Sequence, residues 1–337
     1  MLLALDVGNT NIHLGVFRGA ELLAHWDISN NRDRTADELG LLLVQLFGSR
    51  GFEPSCLQGA AISSVVPMVT GTIATAVQRR FGVEPFVLGP GADTGIAIRY
   101  DNPHEVGADR VANAVGGFAR YGGPLIVVDF GTATTFDAIA ADGSYLGGAI
   151  APGLRISIEE LSQRAARLPR IDLVRPVCAI GTNTAASMQS GIIFGYAGLV
   201  EALVARISRE IGGSPRVVAT GGLAELIVRE TGAVPLVDQH LTLEGLRLLW
   251  DRHNAAQRTG ARELHLCTNQ KHSGTSRLLK KVQVQGARRM SGRLRGRPPR
   301  RVQMQGGRVL RSEACCCTPQ RRGTKPNAAV EPLSAAC

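Results

Sequence analysis

Two short stretches constrain this chain more than any others: Asp6-Val7-Gly8-Asn9-Thr10-Asn11 and Asp129-Phe130-Gly131-Thr132-Ala133-Thr134. Each closes a hydrophobic run with an acid and a glycine turn, then opens a second apolar run, and a third run follows past another turn. They start 123 residues apart, about half of the first 257 residues. That spacing predicts one α/β unit present twice. LLALDV, NIHLGVF and ELLAHWD read as a three-stranded meander, and PLIVVDF, TTFDAIA and SYLGGAI as its counterpart.

The remaining segments fit the same duplication. Thr35 stands at capping-box spacing from Glu38, ahead of an apolar helix. GAAISSVV reads as a buried strand, and Pro67 opens a helix reaching about Gly82. GADRVANAVGGFARYGG is helical, with its apolar side at Val111, Ala114, Val115 and Phe118. Helices follow over about 154–166 and 183–212, then strand RVVAT and two closing helices. The expected organisation is an N-terminal half, 1–115, a C-terminal half, 116–257, and a tail, 258–337.

The tail is a different kind of sequence. Residues 1–257 carry 20 Arg, no Lys and 25 Asp and Glu, a balance of −5, while residues 258–337 carry 18 Lys and Arg against 3 acids, +15. The tail has no Phe, Trp or Tyr and includes RRMSGRLRGRPPRR, so it buries too little apolar surface to offset its ordering entropy. It is expected to be disordered. Two readings stay open for it: a frameshift-derived extension with no selected function, or a basic arm making non-specific nucleic-acid contacts. Cys56 and Cys178 are isolated in the long part, which describes a reduced cytosolic domain. Asp6 interrupts the opening apolar run, no basic segment precedes it, and no stretch reaches about eighteen consecutive apolar residues. A cytoplasmic protein with no membrane partner is expected.

The opening turn can be a plain hairpin with an Asx-turn. It can also be a phosphate loop: Gly8 permits close backbone approach and positive φ, Asn9, Thr10 and Asn11 offer donors, and Asp6 is placed to hold a cation or its water shell. Without lysine in residues 1–257, a Walker-type loop is excluded. A second copy favours the phosphate reading, with two Asp-x-Gly turns facing each other across a cleft. Asp109, where a helix begins, is either an N-cap or a general base for a substrate hydroxyl. Arg110 is either a surface residue or a partner for carboxylate or phosphate. Asp137 reads as a polar residue on a strand face.

In this order, DVGNTN (6–11), GADR (107–110), DFGTATTFD (129–137), GGAIAPG (147–153), GTNTAASMQSG (181–191) and TGG (220–222) resemble the type III pantothenate kinases. The resemblance covers residues 1 to about 255. It implies an α/β, duplicated actin-like ATPase (ribonuclease H-like) fold, two related domains with a cleft between them. It implies phosphorylation of pantothenate by ATP at the first step of coenzyme A synthesis. By the same resemblance, Asp6, Val7, Gly8, Asn9, Thr10, Asn11, Ile12, His13 and Thr132 would hold ATP. Tyr100, Gly107, Ala108, Asp109, Arg110 and Thr184 would bind pantothenate, with Asp109 as catalytic base. Asp129 would bind a monovalent cation, K⁺ or NH₄⁺, and Mg²⁺ would come with ATP near Asp6. A homodimer is implied too. The rival readings are another kinase or phosphatase of the superfamily, and a non-catalytic nucleotide-binding regulator.

Overall fold

The computed structural model describes residues 1–273, with side-chain surroundings as far as Arg258. In the first half, β1 (Leu2–Val7), β2 (Asn11–Arg18), β3 (Glu21–Ser29), β4 (Gly59–Ser64) and β5 (Pro85–Val87) form one sheet, ordered β3-β2-β1-β4-β5. In the second, β6 (Leu125–Phe130), β7 (Ala133–Ile139), β8 (Tyr145–Pro152), β9 (Arg216–Thr220) and β10 (Leu236–Val237) are ordered β10-β9-β6-β7-β8. The two orders are the same once β1 is matched to β6. In each sheet the first three strands are antiparallel and the last two join in parallel. This is the duplicated actin-like ATPase topology.

Seven α-helices are described: α1 (Ala36–Ser49), α2 (Pro67–Phe81), α3 (Ala108–Tyr121), α4 (Leu154–Arg164), α5 (Thr184–Ile211), α6 (Ala224–Val228) and α7 (Leu241–Ser273). The capping box at α1 forms as expected: the Thr35 hydroxyl accepts the Glu38 amide at 3.3 Å, and Glu38 accepts the Thr35 amide at 2.8 Å. β5 and β10 were not foreseen, because three- and two-residue strands carry no readable period.

Strand parity decides which face each residue serves, since successive side chains point to opposite sides. Leu3, Leu5 and Val7 pack with Leu43, Phe47, Ile73 and Val77 of α1 and α2. Leu2 and Ala4 face the other way, onto Val111 and Ala112 of α3 and Leu243, Leu246 and Leu249 of α7. The second sheet repeats this: Ile126, Val128 and Phe130 pack with α5 and α6, while Leu125 and Val127 meet Ala114 of α3 and Leu241 of α7. Parity therefore puts Asp6 and Asp129 on the faces that α3 and α7 cover.

Helices α3 and α7 lie against each other at glycine contacts. A Cβ at Gly245 would stand 1.9 Å from the Ala112 carbonyl oxygen, and one at Gly116 would stand 2.7 Å from that of Leu241. With a sheet on one side and α7 on another, α3 buries more than a stripe. Arg110, Ala112, Asn113, Gly116 and Gly117 are buried along with Val111 and Ala114. Val115 and Phe118, expected on the apolar side, are only partly buried.

By length and composition alone α5 could cross a membrane, but Ile193, Val200 and Val204 lie in the core of the second half. Helix α7 continues to Ser273, past the change of composition at 258, so the first part of the tail is helical rather than irregular. Adding residues to a formed helix avoids the nucleation penalty, which explains the overrun. The rest of the tail lies outside the described residues.

Candidate active site

The sheet parity, the α3 start and the two turns bring four carboxylates into one region. Asp6 ends β1 beside His13 and Ser63 on the neighbouring strands. Asp129 ends β6 opposite Thr135. Asp109 lies in the first turn of α3, and Asp137 lies on β7 opposite Val127. Burial, then the charge of Asp109, pushes Asp6 up to about 7. Burial, then the charges of Asp109 and Asp6, raises Asp129 to about 7. Burial also raises Asp109, against an amide bond from Arg110 and its charge.

The two turns meet directly. The Thr10 and Thr132 hydroxyls are 3.2 Å apart, linking residues 122 positions distant in sequence. Gly8 does not adopt the positive φ its sequence context suggested. Its need is for space: its amide donates to the Asn11 carbonyl at 3.0 Å, and a Cβ would stand 3.1 Å from that oxygen. Val7 and Ile12 are buried in the core, so only their backbone can meet a ligand. His13 is paired with Asp27 at 2.6 Å. Asn9, Thr10 and Asn11 are exposed at the turn.

Asp109 is not the helix cap. Gly107 occupies that position, and Asp109 Oδ1 accepts the Arg110 amide at 2.8 Å. A Cβ at Gly107 would stand 2.5 Å from Asp109 Oδ1, so a larger residue there would displace that carboxylate. Asp129 Oδ2 accepts from Asn113 at 3.0 Å, and Asn113 in turn accepts from Thr242 of α7 at 2.7 Å.

Arg110 is buried, not solvated, and its Nε donates to Asp137 Oδ1 at 2.7 Å. The Tyr145 hydroxyl donates to the same oxygen at 2.8 Å, and the guanidinium lies 5.8 Å from the Tyr145 ring centre. Asp137 is fully buried, and burial raises it to about 6 against the pull of Arg110. Arg110 Nη2 is buried without a partner among the described residues. Tyr100 packs 6.3 Å from the Tyr145 ring. Sequence reasoning read Asp137 as a polar residue on a strand face and did not single out Tyr145. The signal available was an acid inside the apolar run TTFDAI, on the same strand face as the one that meets α3.

Thr184 is placed differently. It begins α5 and lines a groove of about 300 Å³ with Leu161, Leu168, Ser187, Met188, Gly191 and Ile192. A larger cavity, about 500 Å³, lies between β2, α3 and α7 and contains none of the expected site residues. Among the described residues no three His, Cys, Asp or Glu side chains converge closely enough to ligate an ion directly. Asp6, Asp109 and Asp129 instead fit a cation that keeps water or arrives with phosphate oxygens, since positive charge relieves their mutual repulsion.

The raised acids set a pH dependence. Asp6 and Asp129 bind protons more tightly folded than unfolded, so between about pH 4 and about 7 the folded state holds more protons. Their contribution to stability is full below about pH 4 and is lost as pH rises through about 7. The melting temperature of the ligand-free protein is expected to fall from pH 5.5 to pH 8, and Asp6→Asn is expected to flatten that slope. Equal slopes in parent and variant would contradict the cluster's electrostatics.

Comparison with known proteins adds a family. The profile of the type III pantothenate kinases matches residues 2–206. A type III pantothenate kinase of Moorella thermoacetica is 53% identical over 253 residues, 75% of this chain and 100% of the relative. One of Myxococcus xanthus is 50% identical over 256 residues, 76% of this chain and 100% of the relative. Among solved structures, a conserved putative Baf family transcriptional activator from Campylobacter jejuni aligns with a TM-score of 0.49 at 18% identity, covering 75% of this chain and 99% of that one.

Proposed function

This chain belongs to the type III pantothenate kinase family, and from that premise we propose how its cleft performs the reaction. It transfers a phosphoryl group from ATP to pantothenate, in coenzyme A biosynthesis. The observation that carries the residue assignment is the gathering of Asp6, Asp109 and Asp129 beside two turns that touch through Thr10 and Thr132. The turns hold the ATP phosphates through backbone amides and hydroxyls. Asp109 accepts the proton of the pantothenate primary hydroxyl as its oxygen attacks the γ-phosphorus and ADP departs. Tyr100 and the segment Gly107 to Arg110 line the pantothenate side, where the unpartnered Nη2 of Arg110 is a donor in reserve.

Kinases of this superfamily use ATP with a divalent metal, which offsets phosphate charge when bound. Asp6 would hold hydrated Mg²⁺, and Asp129 a K⁺ or NH₄⁺ ion. Arg110 cannot fill that electrostatic role alone, because Asp137 already matches its charge. The enzyme is proposed to work as a homodimer. Val177 and Ile180 are 98% and 81% exposed in the segment before α5, an apolar surface suited to a second copy. The cytoplasm is the proposed location, and the exposed free thiols Cys56 and Cys178 agree with a reducing compartment.

The test compares ADP release in potassium and in sodium for the parent and for Asp129→Asn. Potassium is expected to support faster turnover than sodium in the parent, and the variant is expected to lose that difference. Equal rates in both salts for the parent would remove the monovalent-cation assignment.

A further inference from the structure

A chain with no lysine before residue 258 still has to offset the charge of a bound triphosphate. The one arginine among the expected site residues, Arg110, is committed to Asp137. Arg32 is different. It is exposed, in the segment between β3 and α1, and its Nη2 donates at 3.1 Å to a neutral group, the Asn9 side-chain oxygen on the first turn. The segment is itself tied to that turn. The Asn30 side-chain amide donates to the Gly8 carbonyl at 2.7 Å, and the Asn30 backbone amide donates to the Thr10 carbonyl at 2.8 Å. The guanidinium is thus held at the turn by its neighbours in the chain, and among the described residues no carboxylate pairs with it.

We propose that Arg32 is the phosphate-binding cation of the first turn, contacting the phosphate oxygens of a nucleoside di- or triphosphate. Its planar fork can keep one N–H on Asn9 and present others to phosphate, a geometry an ammonium lacks. A charge at the rim also draws the anionic nucleotide toward the turn. This inference rests on the reading that the Asp6–His13 segment holds ATP.

The experiment measures the KM values of both substrates, and the equilibrium binding of ADP and of adenosine, for Arg32→Ala, Arg32→Gln, Arg32→Lys and Gly8→Val. Arg32→Ala is expected to raise the KM for ATP and weaken ADP binding at least tenfold. The KM for pantothenate and the affinity for adenosine should stay within twofold. Arg32→Gln can still donate to Asn9 but carries no charge, so it should behave like Arg32→Ala, while Arg32→Lys keeps the charge without the fork and should recover only part of the affinity. Parent-like ADP binding by Arg32→Gln would assign Arg32 a structural role and overturn the proposal. So would an unchanged KM for ATP in Arg32→Ala while Gly8→Val weakens nucleotide. If neither variant affects nucleotide binding, the turn is not the phosphate site, and both the inference and the reading beneath it fall.

Discussion

Asp109→Asn is expected to lower kcat by about 10² to 10⁴-fold, the range ascribed to a positioned general base, while ATP still binds. Asparagine can accept the Arg110 amide as Asp109 Oδ1 does, so the α3 start should be kept. What it cannot do is take a proton from a hydroxyl. Asp6 and Asp129 are raised first by burial and then by the Asp109 charge, and the substitution removes the second of these. The variant should therefore be at least as thermally stable as the parent near pH 7. That pairing separates a catalytic role from a structural one: activity falls while stability holds. A kcat within tenfold of the parent would mean that another group takes the proton. The acid limb of the parent's pH profile should follow the same logic, with turnover falling as pH drops and the raised carboxylates take up protons.

Asp137→Ala is expected to be the most damaging single change to the fold near the cleft. Arg110 is buried with its Nε on this carboxylate, and the Tyr145 hydroxyl shares the same oxygen. Removing the acid leaves a buried guanidinium and a buried hydroxyl without their partner. Breaking a buried ion pair from one side costs about 3–5 kcal/mol. For a chain of this size that is a drop in melting temperature on the order of 10 °C. Arg110→Met in the Asp137→Leu background replaces the pair with apolar groups and should recover part of that stability. It should not recover the KM for pantothenate, if Arg110 serves that substrate. A melting temperature within 2 °C, or roughly 0.5–1 kcal/mol, for Asp137→Ala would show that the pair contributes little.

The fold was legible because the repeated turn and the apolar runs around it carry strong local signals. Parity in LLALDV and LIVVDF was enough to place Asp6 and Asp129 on the faces that α3 covers, once the sheets were paired. The surroundings of Arg110 were not legible. Helix periodicity in α3 assumes one wet side, and this helix has a sheet and α7 against it, so the arginine sits inside the protein. Asp137 was read only as a polar residue on a strand face for the same reason, since its partner lies 27 residues away and meets it only in three dimensions. Of the two roles read for Gly8, close approach and positive φ, only the close approach to the Asn11 carbonyl is used. The contact of Arg32 with Asn9 spans 23 residues and depends on how the β3–α1 segment folds back over the turn. No motif spacing announces it.

The most direct test of the whole account is ATP consumption, followed as ADP release with and without pantothenate in potassium buffer. ADP release that requires pantothenate, with one phosphopantothenate formed for each ADP, is the predicted result. ADP release at the same rate without pantothenate, or release driven equally well by a sugar, would contradict it.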